Sequence, residues 1–195
     1  MLLKTNPAFS TTTANKLAPW LNWAPGLSAA YPNGTIPNAA MPFPGGMYND
    51  TQVNITPKQS RESGQYCLDL TFSGTHGGAD YIYYGFNEAL RIGATQNQVC
   101  NLSVNLEIIS GSSTISAAQL YIDEYNAAGT WLATTSGAGA GITVNRFPNY
   151  TTKSDQVTVA QASCASVVAG LVLGFTASAS ANWTLRLTQH YLSIR

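Results

Sequence analysis

The sequence QVCNLSVNLEII at residues 98–109 alternates between apolar and polar side chains along most of its length. The two sets of alternate positions are Cys100, Leu102, Val104, Leu106 and Ile108 on one side and Asn101, Ser103, Asn105 and Glu107 on the other. Successive side chains in a β-strand point to opposite faces of the sheet. This period of two therefore predicts a strand with one face in an apolar core.

The same period of two continues in both directions from this strand. We expect further strands, separated by turns rich in Gly, Ser and Asn, at residues 65–73, 80–86, 115–125, 130–135, 142–147, 156–160, 166–176 and 182–194. In the last of these, the apolar residues on either side of Gln189 and His190 have opposite parity. A β-bulge at these two residues is needed to bury both sets.

These strands predict an all-β fold. No segment shows convincing helical periodicity, and 195 residues are enough for a single core. Because the strands are long and unequal in length, we expect a two-sheet antiparallel β-sandwich of the jelly-roll kind rather than a barrel.

The first 60 residues differ in character from the rest. Most of the nine prolines lie there, with glycines between them. Proline lacks an amide hydrogen and restricts the residue before it, which excludes regular helix. We therefore expect residues 1–60 to form an extended Pro/Gly-rich arm that packs on a β-sandwich of residues 61–195, the two parts making one domain.

Composition excludes two classes of partner. Charged residues are only 9% of the chain, and nine basic residues balance nine acidic ones without a run of like charge, so we expect no nucleic-acid partner. The apolar stretch at residues 166–176 is too short to cross a bilayer, so we expect no membrane span. The first ten residues have no apolar run of signal-peptide length. We expect either a protein made without a secretion signal or a piece of a longer one.

Reactive side chains are sparse in this sequence. The cysteines have no metal-ligand spacing, and we expect three buried free thiols, at Cys67, Cys100 and Cys164. His76 and His190 are the two histidines, and neither belongs to a nucleophile–base motif. His76 and Asp80 in a Gly-rich turn supply two candidate metal ligands, fewer than a zinc or calcium site needs. We therefore expect no catalytic residue, no metal site, no cofactor and no enzyme activity.

Several segments follow one another in a familiar order: SGQYCLDL at residues 63–70, YIYY at 81–84, LRIG at 90–93, VNLEIISG at 104–111, and QLYIDEYN at 119–126 followed by Gly129. They resemble the jelly-roll carbohydrate-binding modules and their galactose-binding-like relatives, of the kind found on phage tail fibres and tailspikes. The segment NPAF at residues 6–9 and the downstream Trp20 are similar to the opening of many such modules.

This resemblance implies a non-enzymatic carbohydrate-recognition domain of a phage or virion surface appendage, with a cell-surface glycan as partner. It also implies a location on the virion surface, or outside the cell after assembly. By analogy with fibre appendages, we expect a homo-oligomer, specifically a trimer.

The candidate ligand-binding residues combine aromatic rings with amides and carboxylates. Sugar C–H groups stack on aromatic faces, and sugar hydroxyls need side chains that donate and accept hydrogen bonds. The candidates are Tyr121, Asp123, Tyr125, Asn101, Asn105, Glu107, Tyr83 and Trp131. The first three share one face of the strand at residues 115–125, and we expect the two Asn residues and Glu107 on the same sheet.

Three other interpretations stay open. Tyrosines at alternate strand positions also serve as packing residues or cross-strand pairs. A polar aromatic face with little charge also suits a subunit interface, which would make this chain a structural virion or assembly protein. The third alternative is an accessory module of a polysaccharide-degrading enzyme.

Overall fold

The computed structural model describes residues 2–5, 47–49, 53–62, 65–77, 81–85 and 92–195. Within these residues the regular structure consists of strands in two antiparallel sheets, which confirms the predicted all-β sandwich. In chain order the strands are β1 (Leu2–Thr5), β2 (Met47–Asn49), β3 (Asn54–Glu62), β4 (Gln65–Thr75), β5 (Tyr81–Gly85), β6 (Ile92–Gly93), β7 (Val99–Ser110), β8 (Ile115–Tyr125), β9 (Trp131–Ser136), β10 (Ala140–Gly141), β11 (Thr151–Thr158), β12 (Ser166–Phe175) and β13 (Ser180–Ile194).

The strands divide between two sheets, which we call sheet A and sheet B. Sheet A has the order β11-β7-β13-β4-β3, with β1 also paired to β13. Sheet B has the order β10-β8-β12-β5-β2, with β9 also paired to β8 and β6 to β12. The consecutive strands β7 and β8 therefore lie in different sheets.

A short connection at residues 111–114 carries the chain from sheet A to sheet B. Gly111 has a φ of 71°, in the left-handed region that favours glycine. A Cβ atom there would lie 2.2 Å from the carbonyl oxygen of Asn182 and 2.6 Å from the Cβ of Trp183. The chain can cross this close to β13 only because residue 111 has no side chain.

The core lies between the two sheets and contains the apolar face predicted for β7. All five of its predicted core residues are buried: Cys100, Leu102, Val104, Leu106 and Ile108. At one end of the core, the ring of Phe72 stacks on Trp183 with centroids 4.3 Å apart. Burying a side chain of this size stabilises the fold by roughly 1.5–3 kcal/mol relative to leaving it in water.

The predicted bulge in β13 is confirmed. The register of β13 against β7 shifts between Thr188 and Tyr191. As a result, the apolar residues before and after the shift all face the core: Trp183, Leu185, Leu187, Leu192 and Ile194 are buried.

The strand predicted at residues 142–147 is wrong. Apart from one parallel bridge to Ile108 the chain there has no regular structure, and it turns at residues 147–148. In the bridge, Ile108 donates its N–H to the carbonyl of Asn145 at 2.8 Å and Phe147 donates its N–H to the carbonyl of Ile108 at 3.0 Å. Pro148 has no amide hydrogen to donate to a neighbouring strand, which opposes continuation of a strand past Phe147. The strand predicted at 156–160 is instead β11, which begins earlier and ends at Thr158.

Three strands include residues from the stretch assigned to the arm. These are β1, β2 and β3. In β3, Pro57 pairs with Leu70 of β4, and β3 is the last strand in the order of sheet A, a position that tolerates proline. Apart from the buried Val53, the other residues of 1–60 lie outside the described residues, so the arm and the division at residue 60 stay predictions.

The three cysteines are buried and free, as predicted. Burial, with smaller contributions from Cys164 and Glu124, raises the pKa of the Cys100 thiol to about 12. Cys100 is therefore a neutral core residue at physiological pH. In the part of the chain that the structure describes, no helix has the length and apolar character needed to span a membrane.

Candidate functional site

The structure separates the predicted ligand-binding residues into two groups. Asn101, Asn105 and Glu107 lie on β7 of sheet A, whereas the tyrosines and Asp123 at positions 121–125 lie on β8 of sheet B. In both strands these residues alternate with core residues, so they lie on opposite outer faces of the sandwich. The expectation that they share one sheet is wrong, because the crossing at residues 111–114 is not a hairpin.

On sheet B, four residues come together at one end of the outer face. We call Asp123, Tyr125, Trp131 and Thr134 the Trp131 patch. Trp131 is 56% exposed, and its indole N–H donates a hydrogen bond to Asp123 Oδ1 at 3.3 Å. The hydroxyl of Thr134 donates to the same oxygen, and Tyr125 pairs directly with Trp131 in the β8–β9 register.

The turn between β8 and β9 positions Trp131. The Oδ1 atom of Asn126 accepts hydrogen bonds from the N–H groups of Ala128 at 3.0 Å and Thr130 at 2.9 Å. This type of side-chain-capped turn is what Asn favours in loops. The β8–β9 register shifts by one residue between Glu124 and Tyr125, which places Trp131 beside Tyr125 and Thr134 beside Asp123.

Glu124 stabilises the strands that carry the Trp131 patch from the core side of sheet B. Its Oε1 atom accepts hydrogen bonds from the Thr135 hydroxyl at 2.5 Å and the N–H of Ala160 at 3.1 Å. Its Oε2 atom accepts a hydrogen bond from the N–H of Gln161 at 2.8 Å. Glu124 is buried, whereas the adjacent Asp123 faces outward. The buried carboxylate therefore ties β9 and residues 160–161 to β8.

Two of the predicted aromatic residues do not join the Trp131 patch. Tyr121 is only 6% exposed, and its ring covers Gly170 of β12, where an added Cβ would lie 2.0 Å from the ring. Tyr121 thus has the packing role that alternate tyrosines often have. Tyr83 lies on β5 at the position paired with Val172, and its side chain is outside the described residues.

On sheet A, the two predicted amides are engaged by neighbouring strands. Gln156 Nε2 donates to Asn101 Oδ1 at 2.9 Å, and Thr152 donates its hydroxyl to Asn105 Oδ1 at 2.7 Å. Asn105 is buried, and Asn101 is half-buried beside a shallow depression of about 380 Å³ between β7 and β11. Asn101 is therefore the more accessible amide.

Glu107 belongs to a buried charge cluster. Arg186 on β13 makes two hydrogen bonds to the Asp69 carboxylate, at 2.7 and 3.0 Å. It also lies 4.0 Å from Glu107 Oε1. Because both carboxylates are buried against one guanidinium, Glu107 acts in the fold and is a poor candidate for ligand contact.

Some residues of these surfaces were not among the predicted ones. Thr134 lies beside Asp123, and Gln156 lies beside Asn101. The turn at residues 126–129 is a signal that places Thr134 near Asp123, because a hairpin fixes which residues pair. No local signal places Gln156 next to Asn101, since the two residues are 55 positions apart.

The described side chains show no metal-binding cluster. Among the described residues, no group of three or more His, Cys, Asp or Glu side chains could hold a metal ion. His76 is a buried core residue rather than part of an open polar turn. Its ring stacks on Phe175 at 4.7 Å, and its Nε2 lies 2.8 Å from the Thr114 hydroxyl. The side chain of His190 is outside the described residues.

The Trp131 patch is chemically suited to a sugar ring. An exposed indole offers a flat apolar surface for C–H groups, and the carboxylate and hydroxyls beside it match sugar hydroxyls. The hydrogen bond to Asp123 fixes the indole before any ligand arrives.

Comparisons with known proteins give only distant similarities. No protein-family model matches the sequence, and the search of curated proteins found no similar chain. Among solved structures, a carbohydrate-binding module of the β-sandwich superfamily, described as having promiscuous specificity, has a TM-score of 0.47 and 15% identity, over 76% of this chain and 58% of its own. This chain thus spans less than two thirds of that structure.

Two further neighbours are complete modules. A xylan-binding domain from Paenibacillus barcinonensis has a TM-score of 0.42 and 15% identity, over 85% of this chain and 97% of its own. A family 11 carbohydrate-binding module from Clostridium thermocellum, in complex with a mixed-linked tetrasaccharide, has a TM-score of 0.46 and 10% identity, over 75% and 86%. These three structural neighbours are carbohydrate-binding modules, but similarity at this level carries no argument about the ligand of this chain.

Proposed function

We propose that this chain is a non-enzymatic carbohydrate-binding module that binds glycans at the Trp131 patch. The observation that carries this proposal is the state of Trp131, a large aromatic side chain that is 56% exposed and yet fixed by a hydrogen bond to Asp123. Leaving so much apolar surface in water forgoes part of the stabilisation that burial would give. A ligand that covers the ring recovers it.

A fixed ring also lowers the entropy cost of binding. An aromatic side chain has few rotatable bonds, and a hydrogen-bonded one loses little freedom when a ligand covers it. The Asp123 carboxylate accepts hydrogen bonds from both the indole and the Thr134 hydroxyl, and Tyr125 pairs with Trp131 in the strand register. They supply the polar contacts that would orient a sugar.

The carboxylates support a binding role rather than hydrolysis. Glycoside hydrolysis needs two carboxyl groups facing one bond. Asp69 and Glu107 are buried around Arg186, and Glu124 accepts backbone hydrogen bonds inside the sandwich. These three carboxylates are engaged in the fold.

A glycan array followed by titration calorimetry tests the proposal. We expect the chain to bind at least one saccharide, and Trp131→Ala to lower the affinity about thirtyfold, the loss typical of an aromatic hot spot. Trp131→Phe retains part of the stacking surface and should lose less. Ser136→Ala, an exposed change elsewhere on β9, is the matched control.

Two results would contradict the proposal. One is the absence of binding to every saccharide on the array, and the other is Trp131→Ala affinity equal to that of the wild type. Because Trp131 is largely exposed, its replacement should leave the thermal midpoint nearly unchanged. Loss of binding is then not loss of folding.

The biological setting rests on the sequence resemblance. A phage or virion appendage, a trimeric assembly and a location at the virion surface are proposals on that ground. The alternative, a structural assembly protein, is favoured by one observation: Trp131, Phe147 and Tyr150 are large hydrophobic residues exposed to solvent, as in a subunit interface. Sedimentation of the wild type and Trp131→Ala across a concentration series separates the two, since only an interface predicts a change in mass.

A further inference from the structure

A second exposed aromatic surface lies at the turn of residues 145–150. Phe147 is 54% exposed and Tyr150 is 57% exposed. They line an open depression of about 660 Å³ together with Asn145, Arg146, Pro148 and Asn149. None of these residues belongs to the Trp131 patch.

The turn is held firmly to the sandwich. In addition to the two hydrogen bonds with Ile108, Asn145 donates its N–H to the Thr151 hydroxyl at 2.9 Å, and its Nδ2 donates to the Tyr150 carbonyl at 3.3 Å. The N–H of Asn149 donates to the carbonyl of Arg146 at 2.9 Å. The aromatic side chains therefore project from a fixed backbone.

Arg146 supplies a positive charge at this turn. Lys153 is paired with Asp155 at 3.0 Å, and Arg186 is paired with Asp69. Among the described residues, no carboxylate pairs with the Arg146 guanidinium, which is exposed. In a chain with only nine basic residues, this charge lies directly beside two exposed aromatic rings.

We propose that the turn at residues 145–150 is a second glycan site, selective for a pyranose that bears a carboxylate. This inference rests on the proposed function, because it assumes that the chain binds glycans. The Arg146 guanidinium binds the carboxylate through two parallel hydrogen bonds, and Phe147 and Tyr150 stack on the C–H face of the pyranose ring. The amide of Asn149 is available to a ring hydroxyl.

The backbone favours a carboxylate over a phosphate. Phosphate sites commonly use several backbone N–H groups that point at the anion. Here the N–H groups of Phe147 and Asn149 already donate hydrogen bonds to the carbonyls of Ile108 and Arg146, respectively. A single planar guanidinium in a depression that two aromatic residues also line fits a planar carboxylate on a sugar ring better.

The second site is far from the Trp131 patch. Trp131 lies beside Tyr125, the last residue of β8, whereas the turn contacts Ile108, near the end of β7 that leads into the start of β8. The eleven residues of β8 span about 30 Å, and the two sites lie on different sheets. One short oligosaccharide cannot contact both, so the sites bind independently.

Titration with matched charged and uncharged saccharides tests this inference. The probes are an oligogalacturonate with its methyl ester, and sialyllactose with lactose. We expect Arg146→Gln to weaken binding of an acidic probe roughly tenfold to a hundredfold, with no effect on an uncharged saccharide bound at the Trp131 patch. Tyr150→Ala should also weaken the acidic probe, and Arg195→Gln, which removes one positive charge elsewhere, should not.

The outcomes separate the two proposals. Binding of either acidic probe with dependence on Arg146 supports the second site, and the probe that binds identifies the acidic sugar. If the acidic probes fail to bind, or bind Arg146→Gln as tightly as the wild type, the proposal of a second site is wrong. In that case, uncharged saccharides that bind the wild type but not Trp131→Ala still support the proposal for the Trp131 patch. If no saccharide of any kind binds, both proposals fail.

Discussion

The indole N–H of Trp131 donates to Asp123 Oδ1 across 3.3 Å, from the exposed strand β9 to the neighbouring strand β8. This contact links a mostly exposed ring to the neighbouring strand. The ring and its acceptor come from different strands, so the platform depends on the register of the β8–β9 hairpin.

We predict that Asp123→Ala weakens glycan binding less than Trp131→Ala does. In Asp123→Ala the Trp131 ring is still present but lacks its hydrogen bond to residue 123. A hydrogen bond to a charged group contributes about 1.5–3 kcal/mol at most, which limits the expected loss of affinity. Titration of the two single variants and the double variant gives the coupling between them. Strictly additive effects would show that Asp123 does not act through Trp131.

We predict that Glu124→Gln lowers the free energy of unfolding by about 1–3 kcal/mol, because an amide NH₂ would face donors that the buried carboxylate now accepts. The adjacent Asp123→Asn is a matched control, since the same change on the outer face should leave stability nearly unchanged. Urea denaturation of both variants measures the difference. Equal midpoints would contradict the role assigned to Glu124.

We predict that Arg186→Ala lowers the free energy of unfolding by about 3–5 kcal/mol, because it leaves the buried carboxylates of Asp69 and Glu107 without their counter-ion. Arg186→Lys keeps the charge but cannot reproduce both hydrogen bonds, so its free energy of unfolding should lie between those of the wild type and Arg186→Ala. The exposed Arg195→Ala is the control. An Arg186→Ala variant as stable as this control would show that the cluster is not held by the guanidinium.

We predict that Gly170→Ala destabilises the wild type by about 1–3 kcal/mol, since the new Cβ would meet the Tyr121 ring. The same change in a Tyr121→Ala background should cost much less, because the clash is gone. Thermal unfolding of the four variants of this cycle measures the coupling. An equal cost in both backgrounds would mean that the Tyr121 ring does not cover Gly170.

We predict that the Cys100 thiol contributes stability that is lost at high pH. Its pKa is raised from 9.0 to about 12 by burial, so the neutral thiol is favoured in the folded chain. The contribution is complete below pH 9 and declines as pH rises from 9 towards 12. Comparing wild type with Cys100→Ala across this range isolates the thiol. A stability difference that does not narrow with pH would contradict this account.

Local pattern was enough to predict much of the fold. The alternation in β7 identifies its core face because side chains in a strand alternate by geometry, and the parity change in β13 identifies its bulge for the same reason. Alternation does not say which sheet a strand joins. The crossing at Gly111 depends on how closely the chain passes β13, a contact between residues about 70 positions apart, and this is why β7 and β8 were expected on one sheet.

The candidate site was predictable only in part. Asp123, Tyr125 and Trp131 lie within one hairpin, and the structure brings them together. The burial of Tyr121 could not be predicted, because it depends on Gly170 of a strand that pairs with β8 from far along the chain. Phe147 fell at the end of a predicted strand at residues 142–147 and Tyr150 in no predicted element, so these two exposed rings were not among the candidates.

The most direct measurement is an NMR titration of the isotope-labelled chain with an uncharged saccharide identified by the array. We expect the Trp131 indole N–H signal to shift on binding, together with the backbone signals of Asp123 and Thr134. Shifts confined to other parts of the chain, with the Trp131 indole signal unmoved at saturation, would contradict it.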